Sequence, residues 1–194
     1  MTKLVLATHN AHKVEELRLI LGPALDGIEL VAYDGPEPVE DGDTFEANAL
    51  IKARAAAAHT GLPAIADDSG IAVAALDGAP GINSARYAGT RVDADNVALL
   101  LANLAGVPDR DAAFVCAAAF VDGDFEHVLR GEWEGTVLVE PVGPNGFGYD
   151  PVFKPAGLSV SAAELRPDEK NAISHRSIAF GELMPVVRER LLQA

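Results

Sequence analysis

The chain has 194 residues, 49% of them hydrophobic and 23% charged, a balance typical of a globular protein with one domain or a domain and a small lobe. Its formal net charge of -14, from 29 acidic and 15 basic residues, repels nucleic acids and anionic lipids and so disfavours modules that bind them. A small phosphorylated substrate is not excluded, because a few cationic side chains in one cleft suffice to bind it.

Cysteine usage and the first residues indicate the compartment. Cys116 is the only cysteine, so no internal disulfide can form and a reducing environment is expected. The apolar stretch that ends at Ala7 is too short for a signal peptide or a membrane span. We therefore expect a cytoplasmic protein.

Hydrophobic periodicity predicts alternating strands and helices. In chain order the predicted elements are a strand over 3–7, a helix over 13–21, a strand over 28–32, a helix over 44–59, a strand over 63–66 with 71–74 as a candidate continuation, a helix over 93–104, strands over 112–121 and 126–133, and a helix over 174–192. Asp43 and Glu46 resemble a capping box for the second helix. The interleaving predicts an α/β fold with a mixed, twisted sheet and flanking helices.

The first group of chemically interesting residues is Thr8–Lys13, where a strand leads into a helix. Backbone N–H groups at a helix N-terminus attract anions, and Lys13 adds a full positive charge. The chain contains neither the P-loop pattern nor G-x-G-x-x-G. Taken alone, Asn10 would be only a helix cap and Lys13 only a solvated side chain.

The second group is acidic and comprises Glu40 in a loop and the pair Asp67-Asp68 at a predicted strand end. Hard cations such as Mg²⁺ take one or two carboxylates together with waters and substrate phosphates. Adjacent side chains of a strand point to opposite faces, so one member of the pair is expected to face a site. Without neighbours, the same residues would be a polar turn.

The third group is the loop 143–151, in which glycines and prolines surround Phe147 and Tyr149. An aromatic ring between glycines suits stacking on a flat base. The alternative is that both rings plug the core beneath a long loop.

The fourth group runs from Lys170 to Arg176 and is predicted to open the last helix. Lys170, His175 and Arg176 would concentrate donors at a helix start, where the dipole disfavours cations. A conflict with local preference of this kind favours a functional role.

Together these groups resemble the inosine/xanthosine triphosphate pyrophosphatases, which remove non-standard purine nucleotides. The matching stretches, in order, are ATHNAHKVEEL (7–17), EDGDTFEANALIKA (40–53), ADDSGIAVAALDGAPGINSARYAG (66–89), GPNGFGYDPVF (143–153) and EKNAISHRSIA (169–179). His9 departs from the pattern, because many members carry glycine there.

The resemblance implies an elongated α/β fold in which residues 1–194 form one domain with two lobes around a central cleft, assembled as a homodimer. It also implies the reaction of a nucleoside triphosphate with water to give the monophosphate and pyrophosphate. Inosine, deoxyinosine and xanthosine triphosphates are the expected substrates, and their ranking stays open.

Residue roles follow from the matching positions. Glu40 and Asp68 are expected to hold Mg²⁺, and Asp68 is expected to orient or deprotonate the water that attacks the α-phosphorus. Whether Asp68 is a general base or only a ligand stays open. Phe147 is expected to stack on the base. The implied substrate-binding residues are Thr8, His9, Asn10, Ala11, His12, Lys13, Ser69, Phe147, Gly148, Tyr149, Asp150, Lys170, His175 and Arg176.

Other classes fit less well. A Nudix hydrolase would show R-E-x-x-E-E on a helix, and Arg188-Glu189-Arg190 is too short a match. A septum-inhibitor-like pyrophosphatase would begin with a Ser- and Arg-rich loop in place of 8–10. A non-catalytic nucleotide sensor is disfavoured by the intact set Lys13, Glu40 and Asp68.

Overall fold

A computed structural model describes residues 1–193 of the chain. The strands are β1 (Thr2–Leu6), β2 (Ile28–Ala32), β3 (Ala64–Val73), β4 (Asp111–Asp122), β5 (Phe125–Val137) and β6 (Phe153–Pro155). The helices are α1 (Ala11–Leu21), α2 (Phe45–Thr60), α3 (Asp93–Asn103), α4 (Pro167–Ile173) and α5 (His175–Leu192). None of the helices in this part of the chain is both long and apolar enough to cross a membrane.

The strands form a six-stranded sheet in the order β2-β1-β3-β4-β5-β6. β1 runs parallel to both β2 and β3, with Val5 opposite Ala64, whereas β5 and β6 are antiparallel. β4 and β5 are neighbours in the sheet and are joined through Gly123 and Asp124. The mixed α/β sheet predicted from the sequence is confirmed.

The chain divides into two compact units. The first unit comprises Met1–Asp68, Cys116–Gly131 and the segment from His175 onward, and the second comprises Ser69–Val115 and Glu132–Ser174. The first unit has a core that includes Leu17, Phe120 and Phe180, and the second has its own, which includes Leu100 and Phe153.

Local signals explain where the helices begin and end. The Asn10 side chain caps α1, and Thr44 caps α2 by accepting a hydrogen bond from the N–H of Ala47 at 3.1 Å. Gly61 ends α2 with a φ of 67°, a left-handed conformation that glycine adopts without steric cost. The predicted capping box at Asp43 is wrong, because Thr44 has the extended backbone that an N-cap requires.

Two other predicted boundaries need correction. β3 is continuous, so Asp67 and Asp68 lie within a strand and not at its end. The segment from Lys170 onward does not open a single helix, because Ser174 is extended (φ -73°, ψ 162°) and separates α4 from α5. Lys170 therefore lies in the last turn of α4, where the helix dipole favours a cation.

The first unit also contains one close backbone approach. Gly131 in β5 faces the beginning of α5 so closely that a Cβ would lie 2.5 Å from the carbonyl oxygen of His175 and 2.6 Å from the amide nitrogen of Ala179. Both are backbone atoms and cannot turn aside as a flexible side chain would. The glycine thus permits α5 to pack on β5.

We predict that Gly131→Ala lowers the free energy of unfolding by about 1–3 kcal/mol, the usual cost of overpacking. The matched control is Gly181→Ala within α5, where a Cβ meets nothing within 4 Å and the φ is not left-handed. That change should raise the free energy of unfolding by up to about 1 kcal/mol, because alanine favours helix. Urea unfolding of the two variants measures the difference, and equal stabilities would contradict the close approach.

Candidate functional site

A lysine that the sequence analysis did not single out joins the two predicted metal ligands. The Nζ of Lys52, in α2, lies 2.9 Å from Glu40 Oε2 and 3.0 Å from Asp68 Oδ1. The three side chains are mostly buried, with exposed fractions of 12% for Lys52, 25% for Glu40 and 11% for Asp68. The structure thus brings Glu40 and Asp68 together as predicted, with an ammonium between them.

The buried face of α2 explains how this group is assembled. Asn48 precedes Lys52 by one helical turn, and its side-chain oxygen accepts a hydrogen bond from the N–H of Gly42 at 2.9 Å. That bond fastens the loop that carries Glu40 to the helix that carries Lys52. The sequence does carry a signal for Lys52. The buried residues of α2 are mainly alanines, and Asn48 and Lys52 place two polar side chains one turn apart on that helix.

The neighbouring aspartate belongs to a second ionic group. Asp67 Oδ2 lies 2.9 Å from Lys13 Nζ and 3.4 Å from Arg176 Nε, and Arg176 Nη1 lies 2.7 Å from Glu16 Oε2. Asp67 and Asp68 have different direct partners, as the alternation of side chains along a strand predicts. Lys13 and Arg176, both predicted site residues, meet here.

The electrostatic environments of the two aspartates differ. Burial alone would raise the pKa of Asp67, but the charges of Lys13, Arg176 and Lys52 outweigh it and hold that pKa far below its usual range. For Asp68, burial prevails over the attraction of Lys52 and Lys13, so the pKa is raised. The pKa of Lys52 is also raised, because nearby carboxylates, Asp68 first among them, outweigh its burial.

Two carboxylate oxygens in this region are left without a hydrogen bond. Within residues 1–193, Asp67 Oδ1 and Asp68 Oδ2 are buried and have no partner. An unsatisfied buried carboxylate oxygen suits a hard cation, so Asp68 fits Mg²⁺ as a protein ligand, and Glu40 offers a second carboxylate beside it. No group of three or more His, Cys, Asp or Glu side chains in the described chain could hold a metal ion alone. Such an ion would therefore need waters or phosphate oxygens as its remaining ligands.

The loop Thr8–Lys13 is held by its own side chains. Asn10 Oδ1 accepts hydrogen bonds from the N–H groups of His12 (3.0 Å) and Lys13 (3.2 Å), and Thr8 Oγ1 accepts one from the N–H of Asn10 (3.2 Å). Asn10 is thus the cap of α1. The rings of His9 and Tyr33 pack against each other, with 5.4 Å between their centres. The phosphate-binding role of this loop, including Ala11, stays a prediction.

A group in the second unit centres on Asp150. Its Oδ2 accepts hydrogen bonds from the N–H of Phe147 at 2.9 Å and from Lys170 Nζ at 2.7 Å. The same ammonium lies 5.0 Å from the centre of the Phe147 ring, within the range of a cation–π interaction. Phe147, Asp150 and Lys170 are therefore one group, in which a buried carboxylate sets the conformation of the aromatic loop.

The other residues of that loop contribute to packing. The ring of Tyr149 is buried, and its hydroxyl donates to the carbonyl of Ser84 at 2.7 Å, so the core-plug alternative applies to this ring. The N–H of Gly148 donates to Asp93 Oδ2 at 2.7 Å, which ties the loop to the start of α3. Contact of Tyr149 or Gly148 with a substrate stays a prediction.

The remaining predicted residues lie near helix starts or beside the aspartates. His175 and Arg176 begin α5 and are each 3% exposed, and Ser69 directly follows Asp68 in β3. Cys116 is buried in the core of the first unit and burial raises the pKa of its thiol, so it packs as expected and is not an ionised nucleophile. Substrate binding by Arg176 stays a prediction, beside its observed contacts with Glu16 and Asp67.

Comparison with known proteins finds relatives over nearly the whole chain. The Ham1 family matches the chain over residues 4–186. A dITP/XTP pyrophosphatase of Leifsonia xyli subsp. xyli is 55% identical over 192 residues, which cover 97% of this chain and 96% of the relative. Among solved structures, a HAM1 protein from Coxiella burnetii is 43% identical with a TM-score of 0.88, covering 97% of this chain and 100% of that one. A nucleoside-triphosphatase (dITP/XTP pyrophosphatase) from Mycobacterium abscessus is 47% identical with a TM-score of 0.77, covering 96% and 100%.

The Asp150 group generates a prediction about stability. Asp150→Asn should lower the free energy of unfolding by about 3–5 kcal/mol, because it removes the negative charge that lies 2.7 Å from the buried ammonium of Lys170. The matched control is Asp168→Asn, which removes an ion pair with Arg166 whose side chains are 66% and 72% exposed. That substitution should change stability little, since exposed pairs are screened by water. Equal effects in thermal unfolding would contradict the buried pair.

Proposed function

The chain belongs to the Ham1 family, and on that premise we propose that it hydrolyses non-standard purine nucleoside triphosphates to the monophosphate and pyrophosphate. The expected substrates are inosine, deoxyinosine and xanthosine triphosphates. The observation that carries the proposal is the buried ionic group of the first unit, where Lys13 and Lys52 lie against Asp67 and Asp68. It combines cations suited to polyphosphate with a carboxylate oxygen suited to a metal or a water.

The proposed chemistry assigns different tasks to the acidic residues. Glu40 and Asp68 would hold Mg²⁺, which when bound offsets the charge of the triphosphate and makes a water easier to deprotonate. The free Oδ2 of Asp68 would orient the attacking water or accept its proton. Asp67 would stay ionised and hold Lys13 in place. No covalent enzyme intermediate is required.

Binding of the phosphates and of the base is proposed for separate groups of residues. The loop Thr8–Lys13 and Ser69 would contact the triphosphate. Phe147 would stack on the base, and Lys170 and Arg176 would donate to a 6-keto oxygen, since neither has an acceptor for the 6-amino group of adenine. Sites that bond one polar group can reject its mismatch by roughly 10⁴-fold, so adenosine triphosphate should be a very poor substrate.

The proposal also covers the metal ion, the oligomeric state and the cellular location. Mg²⁺ is proposed as the metal because the donors are carboxylate oxygens and hard cations prefer them. A homodimer is proposed from the family resemblance alone. A cytoplasmic location is proposed because Cys116 is the only cysteine in the sequence, so an internal disulfide cannot form.

Hydrolysis of inosine triphosphate with Mg²⁺ in ¹⁸O-water tests the reaction directly. Attack at the α-phosphorus should place the label in the monophosphate and leave pyrophosphate unlabelled. Adenosine triphosphate is the matched comparison and should show a far lower kcat/KM. Orthophosphate as the first product would point instead to an ordinary phosphatase, and tight binding without turnover would favour the nucleotide sensor.

The Asp68→Asn variant tests the assignment of the central carboxylate. Turnover should fall on the order of 10²-fold or more with little change in nucleotide affinity, because an interaction specific to the transition state is lost. Glu40→Gln should act mainly by raising the Mg²⁺ concentration required for half-maximal activity. Steady-state kinetics across a Mg²⁺ series separates the two effects, and near wild-type turnover of Asp68→Asn would refute the assignment.

A further inference from the structure

Lys52 lies in the matched stretch 40–53, but neither that match nor the proposed reaction explains why its ammonium stands between the two proposed metal ligands. We propose that Lys52 is an internal counter-ion that competes with the divalent metal for the oxygens of Glu40 and Asp68, so that metal binding depends on moving its ammonium to another anion. The inference rests on the proposed role of these two carboxylates in metal binding. It adds a residue that sets the order in which metal and nucleotide bind.

The competition follows from the contacts. The Lys52 ammonium bridges Glu40 Oε2 and Asp68 Oδ1 at 2.9 and 3.0 Å, so it uses one oxygen of each proposed metal ligand. A divalent cation bound by the same oxygens would be only a few ångströms from this ammonium. Like charges at that separation repel strongly in a site that is mostly shielded from water.

The carboxylates need a counter-ion when no metal is bound to them. Glu40 and Asp68 carry like charges on either side of one ammonium, and Asp67 adds a third negative charge near the same lysine. Buried charges are stable in proteins when they are paired. Lys52 supplies that pairing and holds the two carboxylates close together.

The chemistry of the lysine side chain allows it to leave. An ammonium is a compact point charge on a flexible four-carbon stem, so its head can turn to a new anion while the helix stays in place. The phosphates of a nucleotide are such an anion. Metal and nucleotide would therefore strengthen each other's binding, whereas the metal alone would have to displace Lys52 without compensation.

Lys13 provides a comparison within the same unit. Its ammonium lies near Asp67 and Asp68, but its close contact is with Asp67 Oδ2 and not with Glu40 or Asp68. Loss of Lys13 would change the general electrostatic field without freeing either proposed ligand oxygen. Comparing variants of the two lysines therefore distinguishes direct competition for the ligand oxygens from a general effect of positive charge on metal affinity.

The test measures Mn²⁺ binding to the full chain by electron paramagnetic resonance of free Mn²⁺, without nucleotide. Lys52→Met should bind Mn²⁺ about 10-fold or more tightly than wild type, because removing a unit charge near the ion relieves a large repulsion. Lys13→Met should change the affinity less than about 3-fold, since that charge is farther from the proposed ligand oxygens. Lys52→Arg should bind as weakly as wild type, because it keeps the charge.

A double variant shows which oxygens the ion gains. Glu40→Gln combined with Lys52→Met should lose most of the tighter Mn²⁺ binding, because one freed ligand is removed. The double variant can also be measured if Lys52→Met alone folds poorly, because it contains one unpaired carboxylate fewer than the single variant. Mn²⁺ affinity in Lys52→Met equal to or weaker than wild type, or equal gains in the two lysine variants, would overturn the inference. No turnover is measured, so a chain inactive on inosine triphosphate would refute the proposed function and leave this result standing.

Discussion

The arrangement of the first unit depends on two adjacent aspartates in the middle of a buried strand. The side chains of Asp67 and Asp68 are 0% and 11% exposed, yet each has a cation at hydrogen-bond distance. Ionised carboxylates removed from water are tolerated only with such partners. The helices that pack around β3 therefore bring in lysine and arginine side chains at places where apolar residues would otherwise complete the core.

The cations divide the pair into two chemically different groups. Lys13 and Arg176 converge on Asp67 and hold its pKa low, whereas burial raises the pKa of Asp68 despite the contact with Lys52. Environments that push the pKa values of neighbouring carboxylates apart are common in active sites, where one group stays ionised and the other exchanges protons or ligands. Asp68 is also the one that shares its ammonium with Glu40.

The second unit also contains a buried carboxylate that is paired with a cation. Asp150 is buried, and it joins the backbone of Phe147 to the ammonium of Lys170, which lies over the ring of Phe147. Gly146 has a φ of 73°, and a side chain there would collide with the carboxylate of Asp150. Gly146 is needed because the carboxylate of Asp150 lies against it. A charged residue that sequence reasoning assigned to the substrate thus has a definite role within the protein itself.

The sequence alone determined the α/β class, most of the strands and helices, and the family, because hydrophobic periodicity and motif order are local properties of the chain. It also predicted Glu40, Asp68 and Lys13 as site residues, and the structure brings the first two to one ammonium. It did not determine that Lys52 stands between Glu40 and Asp68, since those residues come from a loop, a helix and a strand that meet only on folding. The break at Ser174 was missed because a single extended residue leaves no periodic signal, and it moved Lys170 to a different helix from Arg176. Partners of buried charges are decided by the tertiary structure, because distances between residues far apart in the chain depend on how the elements pack.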